Sequence, residues 1–201
     1  MKKYVICIGR EFCSGGKEIG KLLAEKLSAK YYDKVELRTK AREMGVEEGI
    51  FDMFDEQPTT SFLFNVVMDP YTIDSAVNEG KVIEVQRKVI QQAADEGPCV
   101  IVGRRADKIL EERDDINVIS VFIGADMDYR IKRYLATEPG ASQKNATRFI
   151  QRKDRDRASY YNYFGDGKWG RASNYTMCFS SSRMKKEDII DSICDYLKKL
   201  D

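Results

Sequence analysis

Short apolar runs alternate with helical patterns along the chain. The runs are rich in β-branched or aromatic residues and are bounded by turn signals, as expected of strands buried in a parallel sheet, and they cover residues 4–8, 99–102, 116–123 and 175–179. Apolar residues at helical spacing occupy residues 19–27, 82–93 and 189–200. The serines at 180–182 are expected to cap the last of these helices. Strands that alternate with helices predict an α/β fold around a central parallel sheet.

Segment 50–78 departs from this alternation. Its large apolar residues lie on short helical stretches that Pro58 and Pro70 interrupt. Such a segment either covers a binding site or forms a packing or dimer-contact helix pair, and the pattern alone favours neither interpretation.

A second segment, 130–157, is strongly basic. Nine Lys and Arg residues minus three acidic residues give it a local excess of +6. Within it, Arg152 and Arg155 share a helix face, and Asp156 lies four residues after Arg152, where its carboxylate can orient that guanidinium. The pattern fits either a cationic lid over a phosphorylated ligand or a solvated helix laced with ion pairs.

Composition narrows the class of protein. The chain has 201 residues, enough for one domain with a sizeable core, and its net charge of +1 offers no global field for nucleic acid or an acidic membrane. Five cysteines without paired spacing, three of them in expected buried strands (Cys7, Cys99 and Cys178), indicate a reducing setting. No stretch approaches a membrane span, and we expect a cytoplasmic protein that binds neither membrane nor nucleic acid. With no histidine in the chain, histidine-based triads and metal sites are excluded.

Residues 5–20, VICIGREFCSGGKEIG, join a β-branched run to the start of an amphipathic helix through Ser14, Gly15 and Gly16. Glycine lets backbone N–H groups approach an anion, and the helix N-terminus adds roughly +0.5 charge. This glycine loop (residues 9–17) therefore indicates a phosphate-bearing ligand. The pattern G-x-x-x-x-G-K-[ST] is incomplete. With Gly15 as its second glycine, the first glycine position holds Arg10, the lysine position holds Gly16 and the hydroxyl position holds Lys17. The alternative is an ordinary glycine turn of an α/β protein.

A second cationic motif follows the run at 99–102. The sequence Gly103-Arg104-Arg105-Ala106-Asp107 places two guanidinium groups at the carboxyl end of a predicted central strand, where α/β sheets bind ligands. Arginine suits bidentate contact with phosphate. A surface salt-bridge pair is the weaker alternative, because isolated exposed pairs stabilise little.

Taken together, these motifs resemble the cytidylate kinase-like family, within the phosphate-loop nucleoside monophosphate kinases. The resemblance runs nearly from end to end, through IGREFCSGGKEIGKLLAEKL, YYDK at 31–34, PCVIVGRRADKIL at 98–110, RKDRDRASYYNYF with KWG at 168–170, and NYTMCFSSS. It implies a three-layer phosphate-loop kinase fold with helices on both faces of the sheet and a mobile Arg-rich lid. A single domain over 1–201 is expected, with an acceptor-binding insert at about 34–80 and the lid at about 136–170.

The chain departs from the family pattern in three places. Gly16 and Lys17 stand where the loop has lysine and a hydroxyl, the kinase GRD triplet reads GRR with Asp107 two places later, and Tyr175-Thr176 replaces YD before the last strand.

Roles follow from the resemblance residue by residue. It implies ATP-phosphate binding by Cys13, Ser14, Gly15, Gly16, Lys17 and Glu18, acceptor binding by Asp33, Arg38, Arg104, Arg105 and Asp107, and catalysis by Lys17, Arg152, Arg155, Asp156 and Arg157. ATP and Mg²⁺ are the implied cofactors, with Mg²⁺ held through the nucleotide phosphates rather than by a dedicated protein motif. No general base is required, because a phosphate oxygen is already a nucleophile at neutral pH.

The implied reaction is ATP-dependent phosphoryl transfer to a nucleoside monophosphate, with CMP or dCMP as the first candidate. Two alternatives stay open: a catalytically impaired nucleotide-binding sensor or interaction protein, and a kinase of another small acceptor. The expected partners are small-molecule nucleotides, with a homodimer through the apolar 50–78 segment as a further possibility.

Overall fold

The computed structural model describes residues 3–46, 73–163 and 167–200, with backbone alone at 73–82. Most of segment 50–78, and with it the expected binding or dimer contact, lies outside the described residues. Five strands are described: β1 (Lys3–Arg10), β2 (Lys30–Tyr32), β3 (Cys99–Val102), β4 (Ile116–Gly124) and β5 (Met177–Ser180). The described helices are α1 (Gly16–Lys26), α2 (Lys34–Glu43), α3 (Ile73–Asp95), α4 (Ala106–Leu110), α5 (Met127–Thr137), α6 (Gln143–Tyr163) and α7 (Lys186–Leu197), with a 3₁₀ turn at Ala172–Asn174.

The strands form one parallel sheet in the order β2-β3-β1-β4-β5. β1 lies at its centre, and its register with β4 runs from Lys3 opposite Ile116 to Arg10 opposite Ile123. On the other side of β1, Val5 to Ile8 pair with β3. In a parallel sheet all carboxyl ends meet at one edge, so the glycine loop after β1 and the Gly103–Arg105 turn after β3 lie side by side.

Alternating side chains of the sheet build a core on each face. Val5 and Cys7 pack with α2, α3 and α4, whereas Ile6 and Ile8 pack with α1 and α7. Helix α1 lies close against the sheet at Gly20, where an added Cβ would lie 2.8 Å from Cγ2 of Val102. This confirms the predicted three-layer α/β fold.

Helices α5 and α6 share a smaller apolar cluster. Ile131 of α5 packs with Ala146 and Ile150 of α6, and Phe12 of the glycine loop joins them. The Arg-rich segment expected to form a lid is therefore a long helix seated on α5 and the loop. Its mobility stays a prediction. No helix in the described part of the chain combines the length and hydrophobicity of a membrane span.

Three expectations at the carboxyl end are wrong in detail. The last helix begins at Lys186 with Lys185 as its N-cap residue and no side-chain cap, so the serines at 180–182 do not cap it. Strand β5 begins at Met177 rather than at 175, because the Oγ1 of Thr176 accepts the backbone N–H of Ser120 in place of a sheet hydrogen bond. Cys178 is exposed, whereas a buried position was expected.

Candidate functional site

The glycine loop turns sharply between β1 and α1. The backbone N–H and the hydroxyl of Ser14 both donate to the carbonyl of Glu11, at 3.3 and 2.9 Å. Gly15 caps α1 with a φ of 84°, a left-handed conformation that glycine adopts without strain. The N–H groups of the first turn of α1 have no acceptor within the helix, so this N-terminus can bind an anion.

The outer side of the loop is tied to α5 and α6. Oδ1 of Asp154 accepts the N–H of Phe12 at 2.7 Å, and its other oxygen pairs with the buried guanidinium of Arg130. Arg130 also lies 3.6 Å from Oε1 of Glu11, whose other oxygen accepts the N–H of Ala125 at 2.8 Å. Sequence reasoning missed this network, because it joins residues more than a hundred positions apart.

Arg133 of α5 lies beside the loop. A Cβ built on Gly15 would be 3.7 Å from its Cζ. Its Nη2 donates to Glu18 at 3.1 Å, and Nζ of Lys186 donates to the other Glu18 oxygen at 2.7 Å. Hydrogen bonds from Lys186 and Arg133 lower the pKa of Glu18, against a smaller effect of burial. In the sequence, Arg133 is one of nine cations of the basic segment, and nothing there singles it out.

A cavity of about 420 Å³ opens on this side of the loop. Its walls are the loop, α1, α5 and the turn between β5 and α7, where the Ser181 hydroxyl donates to the carbonyl of Ser14 at 2.5 Å. We call it the serine cavity, and its lining residues are Ser14, Gly15, Glu18, Ile19, Tyr129, Arg133, Ser181, Ser182, Arg183, Met184, Lys185, Lys186 and Glu187.

A second, much smaller cavity of about 20 Å³ lies at the carboxyl ends of β1 and β3. Four arginines converge on it. We call it the arginine cavity, and its lining residues are Cys7, Ile8, Gly9, Arg10, Gly103, Arg104, Arg105, Asp107, Arg157, Tyr160, Tyr161 and Trp169. The structure thus brings Arg104, Arg105 and Asp107 together, as the sequence predicted.

The two arginines after β3 hold an unusual backbone conformation. Arg104 and Arg105 have φ values of 62° and 53°, and such left-handed residues cost on the order of 1–3 kcal/mol each. Arg104 is buried, and the Arg105 guanidinium lies 5.8 Å from the ring centroid of Tyr161. Burial lowers the pKa of Arg105. Strain of this kind concentrates at functional sites, which favours a binding role for the turn.

Asp107 sits behind the arginines. The Tyr161 hydroxyl donates to its Oδ2 at 2.7 Å. Burial raises the pKa of Asp107, although the Tyr161 hydrogen bond opposes the shift. The carboxylate is therefore held by a neighbour rather than presented openly to the cavity.

Lys17 and Asp33 pair with each other at the start of α1 and α2. Lys17 Nζ lies 2.5 Å from Oδ2 of Asp33, and the Lys17 side chain is 69% exposed. Asp33 also caps α2 by accepting the N–H of Val35 at 2.7 Å. Burial raises the pKa of Asp33, but interactions with Glu36, Lys17 and the Val35 N–H outweigh it and lower the pKa to about 2. Arg38, half-buried on α2, lines neither of these two cavities among the described residues.

The predicted catalytic arginines of α6 separate into two groups. Nη1 of Arg157 donates to the carbonyl of Arg10 at 3.2 Å, and its Cζ lies 5.4 Å from the Phe12 ring centroid. Arg152 and Arg155 are exposed, with the Arg152 guanidinium over Phe149. Asp156 is half-buried. Of the four, the structure brings only Arg157 into the lining of the two cavities described above.

Cys13, the remaining predicted loop residue, has a φ of 60° and is half-buried. Burial raises the pKa of its thiol, against the opposing charges of Arg133, Arg157 and Arg130. The thiol therefore contributes no anionic charge to the loop at neutral pH, so the loop keeps its cationic surroundings.

The sheet order and the loop at the carboxyl end of β1 define a phosphate-loop kinase fold. The shikimate kinase from Bacteroides thetaiotaomicron shares it, with a TM-score of 0.54 at 16% identity over 97% of this chain and 98% of that one. So does a gluconokinase from Sinorhizobium meliloti, with a TM-score of 0.53 at 14% identity over 98% and 93%. These two similarities concern the fold alone.

Residues 5–183 match the cytidylate kinase-like family, and the chain belongs to it. An uncharacterized protein from Eubacterium ventriosum is similar over 98% of this chain and 99% of its own, with a TM-score of 0.73 and 26% identity. Among the curated proteins, none matches the chain at a significant level.

Proposed function

We propose that this protein transfers the terminal phosphoryl group of ATP to a small anionic acceptor, with CMP or dCMP as the first candidate. One observation carries the proposal: the N-terminus of α1 lies between two cavities, and four arginines line one of them. A phosphoryl group that passes between the cavities would cross the glycine loop.

The serine cavity suits the ATP side. Its 420 Å³ admits part of a nucleotide, and the N–H groups at the start of α1 face the position of the phosphates. Arg133, which lies across Gly15, would neutralise phosphate charge. Mg²⁺ would be carried by the nucleotide phosphates rather than by a dedicated protein motif. When bound, Mg²⁺ offsets charge on the transferring group.

The arginine cavity suits an acceptor that carries phosphate. Arg104, Arg105 and Arg157 line it together, and guanidinium groups bind phosphate through paired charge-assisted hydrogen bonds. Because the cavity measures about 20 Å³, Tyr160, Tyr161 and Trp169 would have to move apart to admit a base, which could then stack on their rings. The family supports a pyrimidine nucleotide as the first candidate.

The chemistry needs positioning and charge more than proton transfer. An acceptor phosphate oxygen attacks without a base, in agreement with a chain that has no histidine. Preorganised cations on both sides of the loop would stabilise the negative charge that spreads over the equatorial oxygens in the transition state.

A second candidate is a kinase of a hydroxylated carboxylic acid. The carboxylate of Asp33, which pairs with Lys17 at the start of α1, is a group that can accept a hydrogen bond from an acceptor hydroxyl. The guanidinium groups that line the arginine cavity would pair with a carboxylate as well as with a phosphate.

Acceptor-dependent ADP release is the test. The purified protein is incubated with ATP, Mg²⁺ and a panel of ribo- and deoxyribonucleoside monophosphates and hydroxylated carboxylic acids. Turnover with CMP or dCMP is the expected result, and turnover with a hydroxy acid alone supports the second candidate. If no acceptor gives ADP above background while ATP raises the Tm, the chain is a nucleotide-binding module without transfer.

A further inference from the structure

Gly16 stands where the phosphate-loop pattern has its lysine, and the structure explains why no lysine can stand there. A Cβ built on Gly16 would lie 2.5 Å from Cβ and 3.1 Å from Cγ of Arg10, well inside the closest approach of real Cβ atoms. The same Cβ would lie 3.4 Å from Cβ of Ile123. Because the overlap involves the Cβ of Arg10, a rotation of the Arg10 side chain does not relieve it.

The space above Gly16 is therefore occupied by the stem of Arg10. Arg10 ends β1, and in the loop pattern it holds the position of the first glycine. Its side chain lines the arginine cavity together with Arg104, Arg105 and Arg157. Its carbonyl accepts the hydrogen bond from Arg157. The chain thus departs from the pattern at Arg10 and at Gly16, and these two residues lie against each other.

Lys17, the other candidate cation, faces a different neighbour. Its ammonium lies 2.5 Å from the Asp33 carboxylate, which is itself buried and fixed as the cap of α2. A lysine at this position connects two helices. Arg10, in contrast, ends β1, and its Cβ and Cγ lie against Gly16 at the N-terminus of α1.

We infer that Arg10 takes the place of the missing loop lysine, and that its guanidinium contacts the phosphoryl group from the side of the arginine cavity. The nature of the phosphoryl compound rests on the proposed function. We call Arg10 and Gly16 a reciprocal exchange, because an arginine stands at the first-glycine position of the pattern and a glycine at its lysine position leaves room for that arginine. A guanidinium in this place offers two parallel N–H groups to a phosphate, which a lysine does not.

The exchange is tested first without any ligand, by urea unfolding of Gly16→Ala, Arg10→Gly and the double variant. Gly16→Ala alone should lose stability, because its methyl group overlaps Cβ of Arg10. Arg10→Gly removes that atom, so adding Gly16→Ala to it should have little further effect. Equal effects of Gly16→Ala in the two backgrounds would show that the residues do not exclude one another, and would overturn the reciprocal exchange.

The binding role is tested with inorganic tripolyphosphate and with ADP, by calorimetry and by the fluorescence of Trp169, the single tryptophan of the chain, which lines the arginine cavity. Arg10→Ala should weaken tripolyphosphate binding by at least about tenfold, and Arg10→Lys by less. Lys21→Ala, which removes an exposed cation from the same helix as Gly16, is the matched control and should bind as the wild type does.

Lys17→Ala is the rival variant in the same titration. If Lys17→Ala loses tripolyphosphate binding and Arg10→Ala keeps it, or if the wild type binds no tripolyphosphate, the inference is wrong. These outcomes do not depend on turnover. A wild type that binds tripolyphosphate through Arg10 but releases no ADP with any acceptor would overturn the proposed function and support the role of Arg10.

A last pair of variants in the tripolyphosphate titration tests whether the usual loop pattern can be restored. Gly16→Lys alone places a lysine stem against Arg10 and should bind tripolyphosphate poorly. Arg10→Gly combined with Gly16→Lys recreates the usual arrangement of the pattern and should recover most of the binding. A double variant that binds no better than Gly16→Lys would contradict the assignment of one shared role to the two positions.

Discussion

Asp154 of α6 accepts the backbone N–H of Phe12 in the glycine loop at 2.7 Å. The same carboxylate pairs with Arg130, whose Nη1 also lies 3.5 Å from the Phe12 carbonyl. The backbone N–H and the carbonyl of Phe12 are therefore both engaged by side chains of α5 and α6 rather than by a ligand. The path of the loop, and with it the orientation of the N–H groups at the start of α1, depends on these two helices.

Replacing Asp154 with alanine should lower the free energy of unfolding by about 3 kcal/mol, because Arg130 is then left buried without its main carboxylate partner. Asp154→Asn should cost less, since its amide oxygen still accepts the Phe12 N–H. Urea unfolding measures both. Asp195→Ala is the control, because Asp195 forms an exposed pair with Lys198 that contributes little. Similar losses for Asp154→Ala and Asp195→Ala would mean that the network does not hold the loop.

Strands β1, β3 and β4 could be predicted from the sequence because burial on both faces leaves a continuous apolar run, whereas the three-residue β2 was not among the predicted runs. β3 has the predicted bounds of 99–102, and β4 differs from its prediction by one residue. β5 could not be placed as well. Tyr175 is apolar enough to read as strand, but its ring packs 5.0 Å from that of Phe122, and the chain joins the sheet only after Thr176.

The candidate site could be predicted where its residues lie close to the end of a strand or the start of a helix. Gly15 and Gly16 stand where the loop after β1 enters α1, and Arg104 and Arg105 come just after β3, so their place at the sheet edge could be predicted. Arg133 could not be found this way, because its contact with the loop depends on how α5 packs 115 residues beyond Glu18.

Arg10 did leave a signal in the sequence. The arginine at the first-glycine position and the glycine at the lysine position were visible as two separate departures from the loop pattern. Only the distances between their atoms show that these two departures compensate one another.

Asp33 should make stability depend on pH in the acid range. Its folded-state pKa of about 2 lies below its ordinary value of 3.8, so its charge stabilises the folded protein above pH 4 and this contribution is lost as pH falls toward 2. Asp33→Asn keeps a good helix cap but removes the charge. The free energy of unfolding of the wild type should exceed that of this variant by about 2 kcal/mol at pH 6, and by progressively less below pH 4.

Urea unfolding of the two proteins between pH 6 and pH 3 measures this difference. Lys17, Glu36 and Tyr31 face the Asp33 carboxylate. The pKa of Glu36 is raised mainly by its hydrogen bond with Asp33. A gap between wild type and variant that stays constant from pH 6 to pH 3 would contradict the prediction.

Arg105→Ala should weaken acceptor binding and leave ATP binding nearly unchanged. Loss of a charge-assisted phosphate contact costs on the order of 2 kcal/mol, equivalent to a rise of about 30-fold in the acceptor KM. Initial rates at varied acceptor and varied ATP separate the two constants. Arg105→Gly is the matched control for the backbone, because glycine adopts the φ of 53° without strain and also lacks the guanidinium. Equal increases in both KM values would place Arg105 outside the acceptor side.

Segment 136–170 should become more protected from hydrogen exchange when ATP and acceptor bind together. The basic residues at 130–157 repel one another until phosphates arrive. Ala146, Ile150 and Asp154 already anchor part of α6 to α5 and the loop, so amides near these residues should be the best protected of the segment in both states. The increase should therefore concentrate towards the ends of the segment, with residues 85–95 of α3 unchanged as the internal control. Exchange that is identical with and without ligands across 136–170 would identify α6 as a rigid structural helix, and Arg152 and Arg155 would then be solvated surface residues rather than groups that close over the transferring phosphoryl group.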